Sequence, residues 1–170
     1  MRNRHPGAHS ALGIVCGLAL ACAGSSAAPP SAPANASAPT PDYHPSLGDL
    51  MTMAVQPRHI KLGLAGERRN WTYAAYELSE LRNALARTGR TVPVYRNTDL
   101  ATLINQMTAP PLAALEQAIR AADLARFGRA YTQLTAICNA CHVSQAHPFI
   151  VIQVPDAAAY PDQRFEAGAP

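Results

Sequence analysis

One spacing constrains this chain more than any other. From Leu124 the apolar positions Leu124, Phe127, Tyr131, Leu134, Cys138 and Cys141 fall 3, 4, 3, 4 and 3 residues apart. A helix puts residues so spaced on one side, as a narrow seam that faces a single partner surface. Asp123 stands where a side chain can cap that helix.

The residues before it also read as helices. Ser46 and Asp49 resemble a capping box just after Pro45. Leu47, Leu50, Met51, Ala54 and Val55 then keep helical spacing, in a pattern that runs to about Leu64. Gly63 and Gly66 mark its expected end. Asn70 can cap a second helix, with Trp71, Ala74, Ala75, Leu78, Leu81 and Leu85 on one face and Gly89 as its stop. The stretch RTVPVYRNTD reads as a loop. A short helix with Leu100, Leu103, Ile104 and Met107 follows. Pro110 and Pro111 open the third main helix, which carries Leu112, Leu115 and Ile119. The expected fold class is all-α.

At 170 residues, 48% hydrophobic and 15% charged, the chain fits one modest soluble domain. Residues 1–23 have the make-up of an export signal. The basic MRNRH is followed by an apolar run, Ala11 to Gly24, that is too short to span a bilayer comfortably. Cleavage fits after Ala23 or Ala28. Alternatively LALAC is an imperfect lipobox, with Ala19 and Leu20 in place of the preferred residues. Cys22 would then carry a lipid, and the membrane would be reached only through that anchor. A buried helix of a cytoplasmic protein is the competing reading. Against it stand residues 24–45, whose Pro, Ala and Ser cannot offset chain entropy by burial and form a flexible tether. The folded domain is expected at residues 46–170. Of 14 basic residues, Arg2 and Arg4 lie in the signal, which leaves 12 against 11 acidic. No basic stripe is visible, so nucleic acid is not an expected partner.

Four cysteines are present. Cys16 and Cys22 lie in the signal or at its edge, so the exported domain keeps Cys138 and Cys141. A disulfide between residues three apart closes a tiny loop and stabilises little. Redox chemistry, metal binding and covalent cofactor attachment remain. His142 follows Cys141 directly, and CNACH is the attachment signature of c-type haem. On a helix, residues three apart share a face, so both sulfurs reach the two vinyl groups along one porphyrin edge. His142, four on from Cys138, comes under the ring as the proximal iron ligand. A thioredoxin-like pair would sit at a strand-to-helix junction, whereas this pair ends an amphipathic helix. A structural zinc site wants four ligands, usually as two pairs. There is no second cysteine pair, and His142 with His147 would serve poorly. The expected cofactor is one haem c, covalent on Cys138 and Cys141.

Helices with CNACH at the end of the last one resemble the cytochrome c prime and cytochrome c-556 family. The likeness covers roughly residues 46–147 in architecture and, residue by residue, only the haem motif. It implies an antiparallel four-helix bundle in which the last helix holds the haem and the earlier helices build the pocket. The segment RHIKLGLAGERRNWTYAAYELSEL is also similar to a run in small exported bacterial haem proteins. Family members usually end soon after the haem histidine, but this chain continues for 28 residues. Its apolar run Phe149, Ile150, Val151, Ile152 and Val154 is expected to pack over the bundle, with a partner-binding edge as the alternative.

In the cytochrome c-556 branch a methionine early in the first helix is the sixth iron ligand. Met51, on the apolar face between Leu47 and Val55, matches that pattern; a plain core methionine is the competing role. Met53 points elsewhere if Met51 points inward, and Met107 is a further candidate. His59, about two turns on from Met51, can ligate, hydrogen-bond a haem propionate or stand at the surface. Arg58 and Lys61 can pair with propionates or belong to a solvated face. His147 is not expected to reach the far side of the ring that His142 holds.

Two functions follow. With Met51 on the iron, the resemblance implies electron transfer in the bacterial periplasm, soluble or lipid-anchored. Without it, a five-coordinate iron binds nitric oxide or carbon monoxide as a sensor or scavenger. An enzyme is not expected, since no acid–base constellation flanks the motif and no second haem motif occurs. Trp71, Tyr73 and Tyr76 read as helix packing. A redox partner protein is implied but not named by the sequence, and a homodimer stays open.

Overall fold

The structure, a computed structural model, describes residues 42–156, 160 and 163–167. The expected export signal, Cys16, Cys22 and the tether up to residue 41 lie outside the described residues.

The first helix starts where its capping box puts it. Ser46 Oγ accepts from the Asp49 N–H at 3.1 Å, and the Asp49 carboxylate accepts from the Ser46 N–H at 2.9 Å. This helix, α1, runs through Leu47–Leu50, a π-helical turn at Met51–Val55, and Gln56–Glu67. Pro57 gives the wide turn a physical reason. A helical proline has no N–H to give, and its ring crowds the carbonyl four residues back. Here the Gln56 N–H reaches five residues back to the Met51 carbonyl. The extra width lets the helix pass Pro57 unbroken.

Asn70 caps α2 (Trp71–Thr91), its side chain accepting from the Tyr73 N–H at 3.2 Å. The helix outruns Gly89, its expected stop. Gly89 instead permits a close approach, since a Cβ there would stand 2.8 Å from the Ala101 Cα. The expected loop contains a small hairpin, with Val94–Tyr95 (β1) antiparallel to Thr98–Asp99 (β2). Arg96 and Asn97 have φ of 48° and 64°, as a two-residue type I′ turn requires.

Next comes α3, continuous over Leu100–Arg120 with Pro110 and Pro111 inside it. This corrects the expectation of a short helix followed by a separate one at the prolines. A helical proline costs roughly 3 kcal/mol. Ile104, Leu112, Leu115 and Ile119 are buried on both sides of the pair, and each such burial contributes about 1.5–3 kcal/mol, so packing carries the helix through. Asp123 caps α4 (Leu124–Ser144), accepting from the Arg126 N–H at 2.9 Å. Apart from the hairpin, the regular structure among the described residues is helical, and the all-α expectation holds. None of the described helices is long and apolar enough to cross a membrane.

Packing runs from α1 to α2, α2 to α3 and α3 to α4, and α1 also touches α4. Leu62, Leu81, Leu115 and Leu134, one from each helix, are almost fully buried. Gly63 and Gly66 do not end α1; they let the aromatic rings of α4 come close. A Cβ on Gly63 would stand 2.6 Å from Tyr131 Cζ, and one on Gly66 would fall against the Phe127 ring. Beyond α4 the chain folds back. Phe165 is buried and stacks on Tyr73 with centroids 5.8 Å apart. The run Phe149 to Val154 covers less than expected: Phe149, Val151 and Val154 are exposed and Ile152 is half-buried.

Gly66→Ala tests the α1–α4 contact. Alanine gains up to about 1 kcal/mol in helix propensity, while overpacking against a buried ring costs about 1–3 kcal/mol. Phe127 is only 3% exposed and has little room to move, so the steric loss should win. Urea unfolding should show a lower midpoint at unchanged m-value. A raised midpoint would mean that the contact is looser than described.

Candidate functional site

Helices α1 and α4 pass each other in opposite directions. Gly66 lies against Phe127, Gly63 against Tyr131, and His59 against Tyr131 and Thr135. Continued along both helices, the same stepping brings Met51 level with Cys141 and His142. The space between the helices there is a cavity of about 420 Å³ whose wall holds Met51, Cys138, Cys141 and His142. That size falls within the ~300–1,000 Å³ of small-molecule and cofactor pockets. Much of the remaining wall is apolar, with Leu47 and Val55 from α1, Leu100 and Ile104 from α3, and Ile152 from the returning segment.

Cys138 and Cys141 are free, half-buried thiols. Burial, with the neighbouring Cys141 second, pushes the Cys138 thiol up to about 11. Burial also raises Cys141. Both stand in the last turns of α4, where the helix dipole disfavours a thiolate. Activated cysteines occupy the opposite setting, at helix N-termini or beside cations. The pair is therefore suited to be held as thiols rather than to attack as thiolates.

His142 is half-buried, with Nδ1 2.9 Å from the Ile150 carbonyl oxygen. A carbonyl only accepts, so it is Nδ1 that donates here, and in the neutral form of the ring the lone pair is then on Nε2. With Nδ1 so engaged, Nε2 is the ring nitrogen left to ligate a metal. Among the described residues no three His, Cys, Asp or Glu side chains gather to hold a metal ion by themselves.

The structure separates the remaining candidates. Met53 is 68% exposed, while Met107, like Met51, lines the cavity. His59 is buried and lines the cavity too. Its Nδ1 is 3.0 Å from the Tyr131 hydroxyl and its Nε2 3.1 Å from the Thr135 hydroxyl, so both ring nitrogens are engaged. Burial lowers its pKa to about 4, and the ring is neutral. Arg58 and Lys61 are not among the wall residues. Arg58 turns to the buried Glu77 at 3.2 Å and to Glu80 at 3.6 Å. Lys61 Nζ lies 4.6 Å above the centre of the Tyr160 ring. His147 does line the cavity. It donates from Nδ1 to the Gln145 carbonyl at 2.7 Å, with the Tyr95 hydroxyl 3.4 Å from its Nε2.

Several contributors escaped the sequence. Thr135 sits one position off the apolar seam, and Tyr95 lay in a stretch read as a loop. Asn139 bonds the backbone of Ile152 twice, at 2.8 and 2.7 Å. Its one sequence signal was a polar residue inside a helix. Comparison with known proteins found no matching family model, no matching curated protein and no matching solved structure.

The burial of neutral His59 has a consequence for stability. The unfolded histidine takes a proton near pH 6.5, whereas the folded one resists until about 4. Its contribution is present above pH 6.5 and is lost as the pH falls toward 4, amounting to about 3 kcal/mol. Denaturant unfolding between those pH values should show this loss, and His59→Gln should flatten the slope. An equal slope in the variant would assign the acid sensitivity to other groups.

Proposed function

We propose that this chain is an exported c-type cytochrome with one haem c, built as an antiparallel four-helix bundle and used for electron transfer. The observation that carries the reading is the shared cavity. Cys138, Cys141 and His142 of CNACH line one largely apolar cavity together with Met51 from α1. The donor set suits haem: two thiols one turn apart, an imidazole whose Nδ1 is engaged by the Ile150 carbonyl, and a soft thioether.

In this reading Cys138 and Cys141 would hold the haem through thioethers, and His142 and Met51 would ligate its iron. Bound there, the haem supplies a reversible one-electron iron couple. The residues of the chain do the rest. Apolar walls from α1 and α3 exclude water, and His59, neutral and bonded on both sides, adds no charge. Ligation by Met51 together with His142 would favour the reduced iron and would deny a gas ligand its place. His59 is the weaker candidate for that position, because ligation would break one of its two hydroxyl contacts. The engagement of Arg58 with Glu77 and of Lys61 with Tyr160 weakens their proposed roles at the propionates. Export to a bacterial periplasm, with or without a lipid on Cys22, rests on the N-terminal sequence. No group in the cavity suggests catalysis on a substrate, and the proposed partner is another redox protein.

Met51→Leu keeps the volume and removes the sulfur, so the fold should survive. The variant should show a lower reduction potential, and its reduced form should bind carbon monoxide readily while the wild type resists. Free binding of carbon monoxide by the wild type, unaltered in the variant, would replace electron transfer with gas binding at a five-coordinate iron.

A further inference from the structure

We infer that Asn139, the first residue between the two cysteines of CNACH, is a positioning residue for His142. It acts through the returning segment. Its Nδ2 donates to the Ile152 carbonyl at 2.8 Å, and its Oδ1 accepts from the Ile152 N–H at 2.7 Å. Two residues back along the same segment, the Ile150 carbonyl accepts from His142 Nδ1 at 2.9 Å. The side chain that pins the segment and the ring that the segment holds stand three residues apart on α4, and therefore on one face.

The bond pattern calls for an amide. Only a side chain with a donor and an acceptor side by side can meet both the N–H and the C=O of one residue, as a neighbouring strand would. Helix formation does not explain Asn139, because asparagine is a poor interior helix residue. Ala140, the other residue between the cysteines, is exposed and shows what a position without this duty holds. The other ties here are local turns, from the His147 N–H to the His142 carbonyl at 2.7 Å and from the Ile150 N–H to the His147 carbonyl at 3.1 Å, and the side chains on either side of Ile150, Phe149 and Val151, are 77% and 72% exposed. The turns reach the segment only from its start, and the amide is what pins it beyond Ile150.

The consequence lies in the imidazole. A carbonyl fixed at Nδ1 holds the proton there, leaves Nε2 free and makes the ring a stronger donor. The residues after the haem motif thereby orient and tune the ligand that the motif supplies. The part concerning iron rests on the haem reading above, whereas the part concerning the ring does not.

The test uses the full mature chain in two forms. In the haem-free chain, nitrogen-15 spectra of His142 at alkaline pH report the tautomer. The wild type should be Nδ1–H, and Asn139→Ala should shift toward Nε2–H, the form that free imidazole favours. In the haem-loaded chain, the midpoint potential of Asn139→Ala should rise, because a weaker donor stabilises oxidised iron less. Alanine suits a helix interior, so α4 should persist, and circular dichroism checks this. A variant with lower stability but the wild-type tautomer and potential would reduce Asn139 to a structural tether and overturn the inference. A shifted tautomer in a chain that never takes up covalent haem would uphold the positioning role and overturn the haem reading instead.

Discussion

A gap left between two helices is the constraint around which this domain is arranged. Protein interiors pack to a density of about 0.75, and apolar walls offer water few partners. The gap has a sequence origin. In the first half of α4, Phe127 and Tyr131 fill the space beside α1, and Gly63 and Gly66 admit their rings. In the second half, from Thr135 to Ser144, there is no Phe, Tyr or Trp, nor is there one in α1 from Leu47 to His59. Where large rings stop, the cavity of about 420 Å³ begins. The two thiols, His142 and Met51 all stand in the stretches of α4 and α1 that carry no Phe, Tyr or Trp.

His59 marks the border between the two halves. It is the polar group where the packed core meets the cavity, and the hydroxyls of Tyr131 and Thr135 satisfy it. A charge there would be costly in so apolar a setting, and the low pKa of the ring keeps it neutral. The π-helical turn just before it serves the same region. By widening α1 ahead of Pro57 it keeps Met51, Val55 and His59 on one wall, while Arg58 faces Glu77 on α2. In the proposed role of electron carrier, a largely apolar wall would limit how much the surroundings must rearrange when the charge changes.

Much of this was legible before any coordinates. The caps Ser46, Asn70 and Asp123 stand at the helix starts because each local signal agrees with the packing around it. Signals for helix ends were weaker. Gly63, Gly66 and Gly89 read as stops because glycine is conformationally free, yet here they answer to close contacts that only the assembled helices create. Pro110 and Pro111 read as a start, but buried leucines on either side override the local preference. The CNACH run pointed to three residues that line the cavity, and Met51, singled out through the family resemblance and its place on the apolar face of α1, lines it too. The bonds from Asn139 and Ile150 were out of reach, because they depend on where an irregular segment returns. Charge alone also suggested Arg58 and Lys61 as propionate partners; that Glu77 and Tyr160 engage them became visible only in the packing.

The central claim is that Cys138 and Cys141 carry one haem through covalent bonds. Mass spectrometry of the exported protein under denaturing conditions tests it most directly. The intact chain should be heavier by one haem, and after proteolysis the added mass should stay on the peptide containing Cys138 to His142. It should be missing when both cysteines are replaced by alanine. An intact mass equal to that of the bare mature chain, after expression alongside a functioning haem-attachment system, would contradict the account.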